Sequence, residues 1–213
     1  MKLLIFDTET TGLPKSREPA IRGPDNWPHL VSIAWVIVEN DKISKSEYHI
    51  IKPNWNIPED STKIHGITNE KANADGESLV EVMKLFFAEE YDVLVAHNMD
   101  FDYNVLVNAI LWDSGMKYPL FKRRFCTMTS MTNVMKLPAA NGRGFKSPKL
   151  IELYAYTTQK QAQPHQLHNS LYDTQLLAEI VITSPALKSM IGLPTNDDTN
   201  PNGNKKARYT LVI

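Results

Sequence analysis

Cysteine is nearly absent from this 213-residue chain: Cys126 stands alone. No disulfide can close within the chain, and no thiolate cluster can hold zinc. Long apolar runs are missing too. Nowhere do about 18 apolar residues follow one another, which excludes a membrane-spanning helix. The opening run Leu3-Leu4-Ile5-Phe6 meets Asp7 and Glu9 too soon to be a secretory h-region, so a cytoplasmic location is expected. Charge of either sign is not in excess, with 23 Lys and Arg against 24 Asp and Glu. No global positive field draws in a polyanion, so any nucleic acid must be held locally. No segment recurs at a period of 20–50 residues, which excludes a solenoid or propeller.

What remains is an ordinary globular composition, 42% hydrophobic and 22% charged, ample for one core and incompatible with wholesale disorder. Residues 1–193 read as one domain. Residues 194–213 read as a Pro/Asn/Gly/Asp/Lys-rich linker with an apolar end, Tyr209-Thr210-Leu211-Val212-Ile213. That end is β-prone and would add a strand to a sheet edge or a partner, or else pack on its own domain.

Short apolar runs ended by polar residues mark Leu3–Phe6 and Val93–Ala96 as buried strands. A loop over 15–30 leads to a strand over Val31–Val38, and a turn at Glu39–Lys42 to a third strand at about Ser46–Lys52. Pro58 with Glu59 and Asp60 opens a helix that Gly66 would stop. Leu79, Val82, Met83, Phe86 and Phe87 form one helical face, and Phe101, Val105, Leu106, Ala109 and Ile110 another. Ser147-Pro148 reads as the N-cap and first residue of a helix bearing Leu150 and Leu153. The last strong helix begins near Asn169 and buries Leu176, Leu177, Ile180 and Val181. Met128, Met131 and Met135 have core spacing. Composition and periodicity reach an α/β fold and no further.

Two acids, Asp7 and Glu9, sit at the end of a buried strand, where open α/β folds place their ligands. A second such pattern, Asp75-Gly76-Glu77, reads as a solvated helix start. Paired carboxylates in a crevice repel and raise each other's pKa unless a cation neutralises them. Asp102 follows another short strand, and His168 precedes Asp173 at a helix opening. Carboxylates without thiolates favour hard cations, Mg²⁺ or Mn²⁺, over zinc.

Together these residues resemble the DEDDh-type, DnaQ-like 3′-to-5′ exonucleases. Phe6-Asp7-Thr8-Glu9-Thr10-Thr11-Gly12 is similar to their first motif, His97-Asn98-x-x-Phe101-Asp102 to the second, and His168 with Asp173 five residues on to the third. Ile64-His65-Gly66-Ile67-Thr68 resembles the segment beside the terminal nucleotide, and Lys149-Leu150-x-x-Leu153 the helix before the third motif. The likeness covers about residues 1–185. It implies a ribonuclease-H-like fold, a mixed central sheet whose first three strands are antiparallel, flanked by helices.

The resemblance implies two divalent ions, Mg²⁺ or Mn²⁺, held by Asp7, Glu9, Asp102 and Asp173, with His168 as general base. The substrate would be the 3′ end of single-stranded DNA, with RNA the close alternative, and the product nucleoside 5′-monophosphates. Thr10, Thr11 and Gly12 are expected to offer donors to the terminal nucleotide, and Leu13 a wedge between bases. His65 would bond the terminal sugar or phosphate, or else serve a plain helix end. Phe101 would stack near a base or pack in the core, and His97 and Asn98 would support the second motif, Asn98 beside the substrate. A polymerase or another replication or repair protein is a candidate partner, through the C-terminal tail; no membrane is expected.

Lys122-Arg123-Arg124 reads as a guide for a phosphate backbone or as a solvated run. Two other classes compete. A haloacid-dehalogenase-like phosphatase would use Asp7 as nucleophile, but Glu9 fits its motif poorly and the two His-bearing motifs go unexplained. A non-catalytic binding module would predict a damaged acidic set, and this one is whole.

Overall fold

The apolar run after the first residue lies inside a longer strand, β1 (Lys2–Thr10), in the computed structural model, which describes residues 1–194. β1 is longer than its apolar run because β2 (Leu30–Glu39) pairs with it antiparallel to the end, from Lys2 opposite Glu39 to Thr10 opposite Leu30. Asp7 and Glu9 are therefore strand residues, not residues of a loop beyond it. Asn40 and Asp41, both at positive φ, form a two-residue turn, the mirror-image type that matches strand twist. It starts β3 (Lys42–Ile50) four residues earlier than its β-branched content suggests. β4 (Val93–Ala96) adds parallel to β1, and β5 (Arg123–Cys126) parallel to β4, giving the order β3-β2-β1-β4-β5.

Eight helices flank this sheet among the described residues. α1 (Glu59–His65) stops at Gly66, whose φ of 74° suits glycine. α2 (Asn69–Asp75) carries no apolar stripe and escapes a periodicity search. Its first residue, Asn69, accepts from the Ile57 N–H and donates to the Ile57 carbonyl, both at 2.9 Å. Asp75-Gly76-Glu77 is thus a helix end, not a helix start, and Glu77 bridges to Ile51. α3 (Leu79–Ala88) and α4 (Met99–Asn108) follow, the latter loosening into a π turn over Ala109–Asp113. α5 (Thr127–Met135) buries Met131. α6 (Leu150–Thr158) is capped by Lys149 with Glu152 reaching back to its N–H, so Ser147-Pro148 lies just outside the helix. α7 (Ser170–Thr183) and α8 (Pro185–Ile191) complete the chain as described. The tail Tyr209–Ile213 lies outside the described residues.

Alternation along β1 divides the core in two. Leu4 and Phe6 join Trp35, Phe86, Val105 and Leu106 on the α3–α4 face. Leu3 and Ile5 join Leu153, Leu177, Ile180 and Val181 on the α6–α7 face. Each large apolar side chain fully withdrawn here contributes about 1.5–3 kcal/mol. This is the ribonuclease-H-like arrangement, with the first three strands an antiparallel meander. No helix among the described residues is long and apolar enough to cross a membrane.

Candidate active site

β4 pairs with β1 only as far as Val95 opposite Ile5. Beyond that point β1 keeps β2 on one side and has a crevice on the other, where the chain leaves β4 for α4. Asn98, at φ 79°, turns the backbone, and its carbonyl accepts from the Phe101 N–H at 2.9 Å. The turn puts Asp102 in the first turn of α4, only 3% exposed. There the Thr8 hydroxyl donates to Asp102 Oδ1 at 2.7 Å.

Asp7 and Glu9 alternate with Thr8 and face the opposite layer, where α7 begins. Asn169 caps that helix, its side chain accepting from the Leu171 and Tyr172 N–H groups. His168 just before it is exposed at φ 61°, and its backbone N–H donates to Asp173 Oδ2 at 3.0 Å. Ligand atoms of Glu9, His168 and Asp173 lie within 4.8 Å of one another. Three distant segments thus converge.

The electrostatics show how crowded the acids are. Burial pushes Asp7 well above the ordinary carboxylate range, and Asp102, Glu9 and Asp173 push it further. Burial, then Asp173 and Asp102, raise Glu9 to about 9. Burial raises Asp102 to about 7 against the opposing Thr8 bond, and Asp173 to about 6 against the opposing His168 N–H. No Lys or Arg among the described residues offsets this repulsion at any of the four. A divalent cation would supply the missing positive charge, and the donor set, carboxylates with one imidazole, fits one. Asp173 Oδ1 is buried without a hydrogen-bond partner among the described residues, as a ligating oxygen would be.

The other predicted residues line the same end of β1 in differing states. The Thr10 hydroxyl donates to the Gly12 carbonyl at 2.8 Å. The Thr11 N–H donates to the His29 carbonyl at 3.0 Å, so the backbone donor expected there is engaged and the hydroxyl hydrogen is the one left. Gly12, at φ 152°, exposes Leu13, 82% accessible. His65 ends α1; its Nδ1 accepts from the Ile67 N–H at 3.1 Å, while buried Nε2 has no partner among the described residues. Burial lowers the His65 pKa, the Thr10 carbonyl opposing and His168 adding to the shift. Phe101 lies tilted against Trp27, ring centres 5.9 Å apart, and packs on the core.

One support escapes a sequence reading, and a second, His97, is the support of the second motif that the sequence suggests. Thr8 looks like a spacer between two acids, and only the fold shows it holding Asp102. His97 spans β4, α5 and the approach to α6, bonding Thr127 Oγ1 and the Pro148 carbonyl at 3.0 Å each. Burial lowers its pKa to about 4 against the Pro148 bond. It is a brace and not an acid.

The basic run, by contrast, does not reach this site. Arg123 stands opposite Val93, and Val93 opposite Leu3, so it lies four residues down the sheet from Asp7, about 13 Å. Lys122 donates to the Tyr91 carbonyl at 2.6 Å, Arg123 to the Met190 carbonyl at 3.2 Å, and Arg124 covers the Tyr103 ring at 3.8 Å. As a guide to the acids it is misplaced.

Known structures share the fold. Exonuclease X, solved with 5′-overhanging duplex DNA, superposes with a TM-score of 0.62 at 24% identity, over 90% of this chain and 94% of that one. Exonuclease I of E. coli, solved with a dA16 oligonucleotide, gives 0.62 at 17% identity, over 90% of this chain and 43% of that one. At such identities they define the architecture, a ribonuclease-H-like nuclease fold.

The RNase T exonuclease family model matches residues 4–181, and the chain belongs to that family, the DEDDh-type 3′-to-5′ exonucleases. The DNA polymerase III subunit epsilon-like protein of Rhodobacter capsulatus is 31% identical over 201 residues, 92% of this chain and 25% of that protein. The 3′-5′ exonuclease DinG of Bacillus subtilis is 25% identical over 83% of this chain and 17% of its own. The subunit epsilon of Rickettsia prowazekii is 27% identical over 85% of this chain and 73% of its own. The chain spans a quarter or less of the first two of these relatives.

Proposed function

We propose that this chain removes nucleotides from the 3′ end of single-stranded nucleic acid, DNA in preference to RNA, and releases nucleoside 5′-monophosphates. One observation carries the reading: Asp7, Glu9 and Asp102 repel one another and Asp173 in a crevice with no compensating cation, and Asp173 Oδ1 is buried there without a partner among the described residues. Asp7, Glu9, Asp102 and Asp173 would hold two ions, Mg²⁺ or Mn²⁺. Bound there, the ions would supply charge that activates water and neutralises the phosphoryl and leaving oxygens.

The chain's own residues do the rest. His168, exposed on a loop ahead of α7 and beside Glu9 and Asp173, accepts the proton of the attacking water as general base. Thr8 fixes Asp102 in one rotamer. The Thr11 hydroxyl and His65 Nε2 bond the terminal nucleotide, and Leu13 separates its base from the next. The names of the relatives, subunits of DNA polymerase III among them, support DNA as substrate and a polymerase or another replication or repair protein as partner.

Incubating 3′-labelled and 5′-labelled single strands with Mg²⁺ tests the reading. The 3′ label leaves at once as mononucleotide, the 5′-labelled strand shortens stepwise, and chelator stops both. Intact strands in Mg²⁺ and in Mn²⁺, retained as a complex in a gel, would overturn it in favour of a binding module. Matched DNA and RNA oligonucleotides decide the sugar preference.

One further arrangement is favoured by geometry. His168 lies close enough to Glu9 and Asp173 to be a ligand itself. Calorimetric titration of His168→Ala with Mn²⁺ separates the roles, since a general base leaves the affinity intact and a ligand does not.

A further inference from the structure

Beside the acidic crevice lies a group that the catalytic reading leaves unused. His29, just before β2, is tied to Thr11 twice: its carbonyl accepts from the Thr11 N–H, and its own N–H donates to Thr11 Oγ1, both at 3.0 Å. Thr11 is two residues beyond Glu9, so His29 borders the mouth at about 7 Å of chain from the acids. Its ring lies on Trp55, centres 4.4 Å apart and planes 14° from parallel. Nδ1 meets Asp113 Oδ1 at 2.9 Å, and Asp113 Oδ2 accepts from Asn108 Nδ2 at 3.2 Å.

The imidazole is thereby clamped by an acid held in place from α4, yet 41% of the His29 side chain is exposed. Trp55 packs, partly buried, against the α3–α4 core, and its Nε1 is buried without a partner among the described residues. A rigid, half-exposed aromatic pair is poor packing but good stacking surface. Base stacking on such a surface is worth about 1–3 kcal/mol and is indifferent to sequence. Leu13, two residues beyond Thr11, is 82% exposed.

We propose that the His29–Trp55 pair is a stacking subsite for the base of the nucleotide preceding the 3′-terminal one, with Asp113 as the positioning residue that orients His29. The inference rests on the single-strand reading above and extends it from the terminal nucleotide to its neighbour. The subsite makes the enzyme a reader of strand length: a substrate of one nucleotide cannot use it, and a longer strand does.

Two substrates test this, (dT)8 and the p-nitrophenyl ester of thymidine 5′-monophosphate, which has no second nucleoside. His29→Ala and Trp55→Ala should each raise KM for (dT)8 about 5- to 100-fold, with kcat for both substrates and KM for the ester unchanged. His29→Phe, which keeps a stacking face, should recover most of the loss, and Asp113→Asn should fall between. An unchanged KM for (dT)8, or equal losses on both substrates, overturns the subsite. Tryptophan fluorescence on titration with (dT)8 in EDTA reads binding without turnover, and the Trp55 share of the quench should vanish in Trp55→Phe. Active wild-type protein with no Trp55 quench sinks this inference alone. A quench with no hydrolysis sinks the catalytic reading and leaves the subsite standing.

Discussion

The two ends of the parallel strands obey opposite rules. At the end where β1 begins, charges are answered: Lys122 and Arg123 bond carbonyls, and Arg124 covers a tyrosine ring. At the end where β1 overruns β4, three buried carboxylates and the half-buried Asp7 crowd one another, and Asp173 Oδ1 has no partner among the described residues. A fold does not bury unanswered like charges for stability. The contrast separates the half of the sheet that holds the molecule together from the half that holds it ready for a cation and a phosphate.

The largest effect expected is chemical. His168→Ala should lower turnover about 10²- to 10⁴-fold, and single-turnover assays should show the loss in the chemical step, with Mn²⁺ affinity kept. Next comes the satisfied half. Phe86→Ala, which empties a fully buried position against Phe6 and Trp35, should cost about 3–5 kcal/mol in urea unfolding. Equal stability there would mean that the core is looser than its packing.

Glu9→Gln should do the reverse. In metal-free protein at pH 8 the Glu9 carboxyl must take up a proton on folding because its folded pKa lies near 9; the amide spares that cost, and the melting temperature should rise by several degrees. A fall would show that the carboxylates are already compensated. The pH dependence has the same origin. Glu9 has a folded pKa near 9 and Asp102 near 7, both above their unfolded values near 4. In the window between, the folded state binds more protons than the unfolded one. Metal-free stability is therefore fullest below about pH 4 as far as these two groups decide it. It is lost as pH rises through 7 and then 9, and Mn²⁺ should flatten the slope in calorimetric scans. The smallest effect belongs to the basic run: Arg124→Ala should change kcat/KM for single strands less than twofold and leave its salt dependence alone. A steep loss of salt dependence would put the strand on the wrong side of this comparison.

Sequence and structure part company along the same line. Buried apolar runs such as Leu3–Phe6 and Val93–Ala96 announce strands because nothing else hides them so briefly. The acids of three motifs are legible by order and spacing, and the comparisons support the family they indicate. β5 is not legible, since an edge strand of Arg123 and Arg124 has no apolar signature and exists by pairing with β4. α2 is likewise silent, because a polar seven-residue helix anchored through Asn69 depends on a contact twelve residues away. Thr8 and His29 were unreadable for a shared reason: their partners Asp102 and Asp113 are 94 and 84 residues distant.

The overhang of β1 past β4 has one more consequence. Along this strand Asp7 and Glu9 look toward one helical layer and Thr8 toward the other, so a slip of one residue in its pairing with β2 would turn the acids toward α4 and the hydroxyl toward α7. Register and site are therefore one property: a molecule with that ladder misaligned would present a hydroxyl where the acids belong and could not bring Glu9 to Asp173.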